Sequence, residues 1–178
     1  MTVPTLLVTG PGGVGKTTVA HEACRQLEAQ DVPHAMVDAD ELDRIYPAPL
    51  RDPEKTDLTF RNLAAVWANL RAAGAPRLIL TMVALSLEDE VEHIRDAIPE
   101  ARIFAVRLRA SEGALLERVR LREIGSGCGY QVPKTLKQAR LMTRESAEGR
   151  PVVDTTGRSI PEVAREVLDC ARSSTGFW

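Results

Sequence analysis

Residues Gly10 to Thr17, Gly-Pro-Gly-Gly-Val-Gly-Lys-Thr, complete the pattern G-x-x-x-x-G-K-[ST], with a second threonine, Thr18, behind it. Each residue type suits the holding of linked phosphates. Along Gly12-Gly13-Val14-Gly15, glycines let successive backbone N–H groups converge on phosphate oxygens without a side chain in the way. A helix that starts here adds a field of about half a positive charge. Lys16 supplies a mobile cation for β- and γ-phosphates, and the Thr17 hydroxyl is a ligand for Mg²⁺. Gly10, Gly12 and Gly15 also satisfy the dinucleotide pattern G-x-G-x-x-G, with Asp38 or Asp40 as ribose partner. A dinucleotide loop has no use for a Lys-Thr pair after its last glycine, whereas a triphosphate loop needs both.

Asp38 and Asp40 close an apolar run, His34 to Val37, at the strand end where open α/β sheets place ligands. In an extended segment their spacing of two points them the same way. Facing a triphosphate, one can orient Mg²⁺ through water while the other accepts the proton of an attacking hydroxyl or hydrogen-bonds the acceptor. Arg44 follows closely enough to neutralise or clamp. Thr81 stands where a Walker-B aspartate belongs, so the metal carboxylate must come from elsewhere, with Asp38 the first choice. Arg118 and Arg122, four apart, share a helix face and suit a closing lid that stabilises phosphoryl-transfer charge. Arg140 and Arg144 are secondary contributors. Asp154-Thr155-Thr156-Gly157 matches a GTP-switch D-x-x-G, but no Asn-Lys pair is present to read guanine; Thr156 and Gly157 suit a turn under adenine instead. His21, His34 and His93 have no metal-ligand spacing.

Alternating strand and helix patterns must position these groups, which predicts a parallel sheet covered on both faces. Strands are expected at Leu6–Thr9, His34–Val37, Leu78–Val83, Ile103–Leu108 and Val152–Asp154. Helices are expected from Val19 to about Gln30, around Leu63–Leu70, at Leu87–Ala97, at Ser111–Glu123, and from about Lys134 to Glu148. The last follows the capping box Ser159-x-x-Glu162. Prolines 47, 49 and 53 mark an irregular connection, and the glycine-rich 125–129 a break.

The 178 residues fit one domain that buries about 70% of its unfolded surface. A net charge of -2 disfavours general affinity for nucleic acid or anionic membrane. Charge is uneven: residues 38–57 hold seven acids against three bases, and residues 118–150 eight bases against three acids. Three cysteines, Cys24, Cys128 and Cys170, without a C-x-x-C pair, suit a reducing cytosol. Cys24 and Cys170 are expected in the core and Cys128 mobile and exposed. Without a signal peptide or a long apolar span, the expected location is cytoplasmic.

In these motifs the chain resembles the P-loop small-molecule kinases: adenylylsulfate kinase, gluconate kinase, shikimate kinase and chloramphenicol phosphotransferase. Gly10–Thr18, Asp38-x-Asp40, Arg118-x-x-x-Arg122 and Val152–Gly157 before a capped helix carry the likeness across nearly the whole chain. The resemblance implies a three-layer α/β sandwich with a five-stranded parallel sheet in order 2-3-1-4-5, a small helical lid at about 118–148, and use of ATP with Mg²⁺ on a small hydroxyl-bearing acceptor. It implies that Lys16 contacts the transferred phosphate and Thr17 binds Mg²⁺. Asp38 is then the base or metal partner, Arg118 and Arg122 lid residues, and Thr156-Gly157 the flank of adenine. The acceptor is expected between Asp38, Asp40, Thr81 and the helix around Leu58–Trp67. Ala39 and Asp43 depart from the Asp-Gly-Asp-x-x-Arg of adenylylsulfate kinases, and neither Asp-Gly-Phe-Pro-Arg nor a Gly-Gly-Gly substrate loop is present. The acceptor therefore stays open, as does the oligomeric state. Two other readings are a slow ATPase acting as a regulator or assembly factor, and a nucleotide-metabolism kinase.

Overall fold

Short β-prone runs and amphipathic helices alternate along most of the chain. The computed structural model describes residues 2–123, 127–145, 150–176 and 178. The elements run β1 (Val3–Thr9), α1 (Lys16–Glu28), β2 (Ala35–Asp38), α2 (Thr56–Ala72), β3 (Leu78–Met82), α3 (Leu87–Ala97), β4 (Ala101–Arg109), α4 (Glu112–Arg122), α5 (Gly127–Glu145), β5 (Val152–Asp154) and α6 (Ile160–Thr175). All strand pairs are parallel, in the expected order β2-β3-β1-β4-β5. Helices α1 and α6 cover one face of the sheet and α2 and α3 the other, while α5 packs on α4.

Neighbouring residues of a strand face opposite sides of the sheet, so β1 feeds two cores. Leu6 and Val8 pack with Val19, Ala23 and Leu27 of α1 and with Val163 and Val167 of α6. Leu7 packs with Phe60, Leu63 and Trp67 of α2 and with Leu87 and Ile94 of α3. Cys24 is buried, as expected, and Cys170 half-buried. Trp178 packs against the α1–α6 side.

Caps differ among the helices in a telling way. Ser86 accepts from Asp89 N–H at the start of α3, and Ser111 from Ala114 N–H at the start of α4. At α1 the cap residue is Gly15, at φ 100°, and no side chain caps the helix. Its first-turn N–H groups have no side-chain acceptor among the described residues.

Three expectations change. Helix α1 begins at Lys16 rather than Val19. Asp40 is not in an extended segment: Asp38 ends β2 and caps a 3₁₀ turn over Ala39–Glu41, its Oδ1 accepting from Asp40 N–H at 3.1 Å. Helix α5 begins at Gly127 rather than near Lys134, running through Gly129 and Pro133. Those residues read locally as breakers, but packing of the helix on the glycine loop overrides propensity. The expected lid spans the end of α4 and α5, and residues 124–126 and 146–149 of it lie outside the described residues. So do Phe177 and the side chains of Cys128 and Arg144.

Candidate active site

The C-terminal ends of β1, β2 and β3 deliver the glycine loop, the two aspartates and the Val83 backbone to one cleft of about 880 Å³. Gly12, Gly13, Gly15, Lys16, Thr17 and Thr18 line it, as do Asp38, Asp40, Arg44, Arg118 and Arg122. The two aspartates grip different residues. Thr17 Oγ1 donates to Asp38 Oδ2 at 2.6 Å, while Lys16 Nζ lies 3.3 Å from Asp40 Oδ2. Asp40 Oδ1 accepts from Val83 N–H at 3.0 Å. Lys16 is 7% exposed and the Asp40 side chain 39%, so the ammonium is sunk in the floor and the carboxylate opens to solvent. The turn thus achieves the convergence expected of an extended spacing, by another route.

Arg118 and Arg122 both line the cleft, as their spacing requires. Their partners separate them. Arg118 donates to Val14 O (3.2 Å), Thr155 Oγ1 (2.8 Å) and Thr155 O (2.8 Å), bracing the glycine loop against the turn after β5. That guanidinium is directed at protein carbonyls, unlike the phosphate-bridging orientation expected of it. Arg122, itself exposed, pairs among the described residues with its half-buried neighbour Glu123, at 2.8 Å. Arg44 pairs with Glu41, which raises its already high pKa, and is exposed.

Thr81 corrects an expectation. It is 0% exposed, lies between Asp38 and Val8 in the sheet register, and does not line the cleft. Its hydroxyl has no partner among the described residues. The helix around Leu58–Trp67 also fails to reach the cleft. Its Phe60, Leu63 and Trp67 are committed to the core, and only Lys55, at the helix start, lines the opening. Lys55 is held by Asp43, at 3.2 Å.

Behind the glycine loop lies a second cavity of about 210 Å³, lined by Val14, Gly15, Thr18, Val19, Arg118, Thr155, Arg158, Ile160 and Val163. Thr156 and Gly157 do not line it. The Thr156 hydroxyl accepts from Ser111 N–H at 2.9 Å, and Gly157, at φ 65°, makes the turn. Asp154 is occupied by Thr156 N–H and Arg109, which hold its carboxyl below the usual range. Its D-x-x-G is a structural turn.

The sequence reading missed one wall altogether. Gln131, Lys134 and Gln138 of α5, at helical spacing, line the same cleft as the aspartates. Helical periodicity marks them as a face, but nothing local says that this face meets the glycine loop. Among the described residues no cluster of three or more His, Cys, Asp or Glu can hold a metal alone. The Thr17 hydroxyl beside the Asp38 carboxylate still suits Mg²⁺, which takes few protein ligands and shares its shell with phosphates and water.

No protein-family model and no curated protein matches the chain. Solved structures do. A gluconokinase from Sinorhizobium meliloti is similar at TM-score 0.63 and 21% identity, over 97% of this chain and 94% of that one. A tunicamycin resistance protein from Deinococcus radiodurans is similar at TM-score 0.64 and 17% identity, over 99% and 97%. A shikimate kinase from Acinetobacter baumannii, in complex with shikimate, is similar at TM-score 0.55 and 21% identity, over 98% and 96%. The chain has the P-loop kinase fold. That strand order places the glycine loop after the central strand β1, with β3 between it and β2, whose end still reaches the loop through Asp38 and Thr17. Identity this low carries the architecture and leaves the substrate to the site itself.

Proposed function

We propose that the protein transfers the γ-phosphate of Mg-ATP to a hydroxyl of a small, polar molecule. One observation carries this reading: two carboxylates from one turn are separately attached to the two chemistry-bearing residues of the phosphate loop, Asp38 to Thr17 and Asp40 to Lys16. The Asp40 side chain is also 39% exposed, so displacing Lys16 from it leaves a carboxylate open to an incoming hydroxyl. The triphosphate lies along the uncapped α1 N-terminus, with its base in the 210 Å³ cavity between Arg118, Thr155 and Ile160. The acceptor occupies the large cleft. Its wall of charged and amide side chains favours a hydrophilic, hydroxyl-rich compound.

Thr17 and Asp38 are the residues that would hold Mg²⁺, which would neutralise charge on the phosphate oxygens. Lys16 turns from Asp40 to the terminal phosphates, and Asp40 Oδ2, released, takes the proton of the attacking hydroxyl. The new bond forms between that oxygen and the γ-phosphorus; the bond to the β,γ-bridging oxygen breaks, and its electron pair leaves with ADP. Arg122, which pairs among the described residues with its sequence neighbour Glu123, can follow the charge developing on the phosphoryl group. Asp38 is thereby a metal-side residue and Asp40 the base.

Acceptor-stimulated ADP release over a panel of sugars, polyols, nucleoside monophosphates and hydroxylated antibiotics tests the reading. At least one acceptor is expected to raise ADP release well above its basal rate. Slow release that no acceptor stimulates points to the regulator instead, and stimulation by nucleoside monophosphates alone to a nucleotide-metabolism kinase. With an acceptor in hand, Asp40→Asn is expected to lower kcat by ~10²–10⁴-fold with Mg-ATP affinity nearly unchanged. Asp38→Asn is expected to raise the Mg²⁺ concentration needed for half-maximal rate.

A further inference from the structure

The wall that α5 adds to the cleft is bonded to the glycine loop itself. Gly12 N–H donates to Gln138 Oε1 at 2.9 Å, across 126 residues of sequence. A Cβ on Gly12 would stand 2.8 Å from Thr135 Oγ1 and 3.5 Å from Gln138 Oε1, so this glycine is required by the approach of α5. Thr135 is 1% exposed and Gln138 7%. The Thr135 hydroxyl, fully enclosed, has no hydrogen-bond partner among the described residues. Because Gly12 N–H is a donor, it sets which end of the Gln138 amide faces it. The other end, Nε2, makes no bond to the described residues, and Gln138 is one of the side chains that line the cleft.

The two cavities locate Gly12 along the bound polyphosphate. Gly15, Thr18 and Arg118 border both, whereas Gly12 and Gly13, like Asp40 and Arg122, border only the large cleft. A nucleotide with its base in the small cavity therefore ends, at its terminal phosphate, on the Gly12 side. We propose that Gln138 is a ligand of the transferred phosphate: with Oε1 held by Gly12 N–H, Nε2 donates to a phosphoryl oxygen. The proposal rests on the triphosphate reading of the cleft. It makes α5 a wall of the phosphate site and gives a buried amide a task in the cleft. A donor fixed at its far end in this way meets developing negative charge without reorganising.

Calorimetric titration with Mg-ADP and with Mg-AMPPNP, a non-hydrolysable triphosphate, tests it, because only the second carries the transferred phosphate. Gln138→Glu keeps an acceptor for Gly12 N–H and replaces the Nε2 donor by an oxygen. Gln138→Met removes donor and acceptor without adding charge. In both variants Mg-AMPPNP affinity is expected to fall by ~10-fold or more relative to Mg-ADP affinity, the range of a hydrogen bond to a charged group. A ratio within twofold of wild type in either variant overturns the proposal, including a loss confined to Gln138→Glu, which would be repulsion through space. Should Gln138→Met fail to fold, Gln138→Asn, which withdraws the amide by one methylene, carries the same expectation. Wild-type protein that takes up neither nucleotide overturns the triphosphate reading, and this proposal with it. Normal wild-type binding with unaltered ratios overturns the role of Gln138 alone.

Discussion

Lys16 is nearly sunk in the protein, and Asp40 Oδ2 is the carboxylate oxygen beside it. An ammonium so placed is costly to leave unpaired, and Asp40 supplies its counter-charge. A triphosphate offers more negative charge at the same place and releases Asp40 for proton transfer. Lys16→Ala removes both effects, and is expected to lower turnover by at least ~10³-fold in an acceptor-stimulated assay. The fold should survive, since Asp40 is open enough to be hydrated, and circular dichroism checks that it does. Cys24 provides a different residue-scale probe. Burial pushes its thiol up to about 11, so little thiolate exists at neutral pH. Alkylation of Cys24 in the native protein, followed by mass spectrometry, is expected to be far slower than in denaturant.

At the scale of elements, the decisive contact is α5 against the glycine loop. Gly12→Ala forces a methyl group toward Thr135 Oγ1, and α5 must yield, because the residue it meets is enclosed rather than mobile. Overpacking of this kind costs about 1–3 kcal/mol. A urea melt is expected to show that loss, together with weakened Mg-ATP binding. The turn between β5 and α6 is a second joint. There Thr156 N–H and Arg109 hold the Asp154 carboxyl below its ordinary range, and Ser159 N–H and Oγ both donate to Glu162, lowering it too. For carboxyls depressed in the folded state, the stabilisation is complete above the unfolded values, about 3.9 and 4.3, and is lost as pH falls through the lower folded values. The Tm difference between wild type and Asp154→Asn is therefore expected to be largest near pH 6 and to shrink toward pH 3.

Across the whole molecule, the central strand β1 joins the two cores and ends in the phosphate loop. Arg118 bridges that loop to the β5–α6 turn, and Gln138 bridges it to α5. The loop is thus clamped from both sides by segments more than 100 residues away. No helix among the described residues is long and apolar enough to cross a membrane.

The strands, most of the helices and the phosphate loop were legible in the residues because each follows from local pattern: β-prone runs, amphipathic spacing, and a glycine loop between strand and helix. The strand order came only through the family resemblance that those motifs carry. The pairing of Asp38 and Asp40 with the loop was also legible, although through a 3₁₀ turn rather than an extended strand. Hidden from any local pattern were the burial of Thr81, the bracing duty of Arg118, the cavity faced by Thr155 rather than Thr156, and the α5 wall. These depend on which surfaces meet after helices and strands have packed. Periodicity assigns a residue to a face, but the neighbour that face receives is decided by how the layers fill space together.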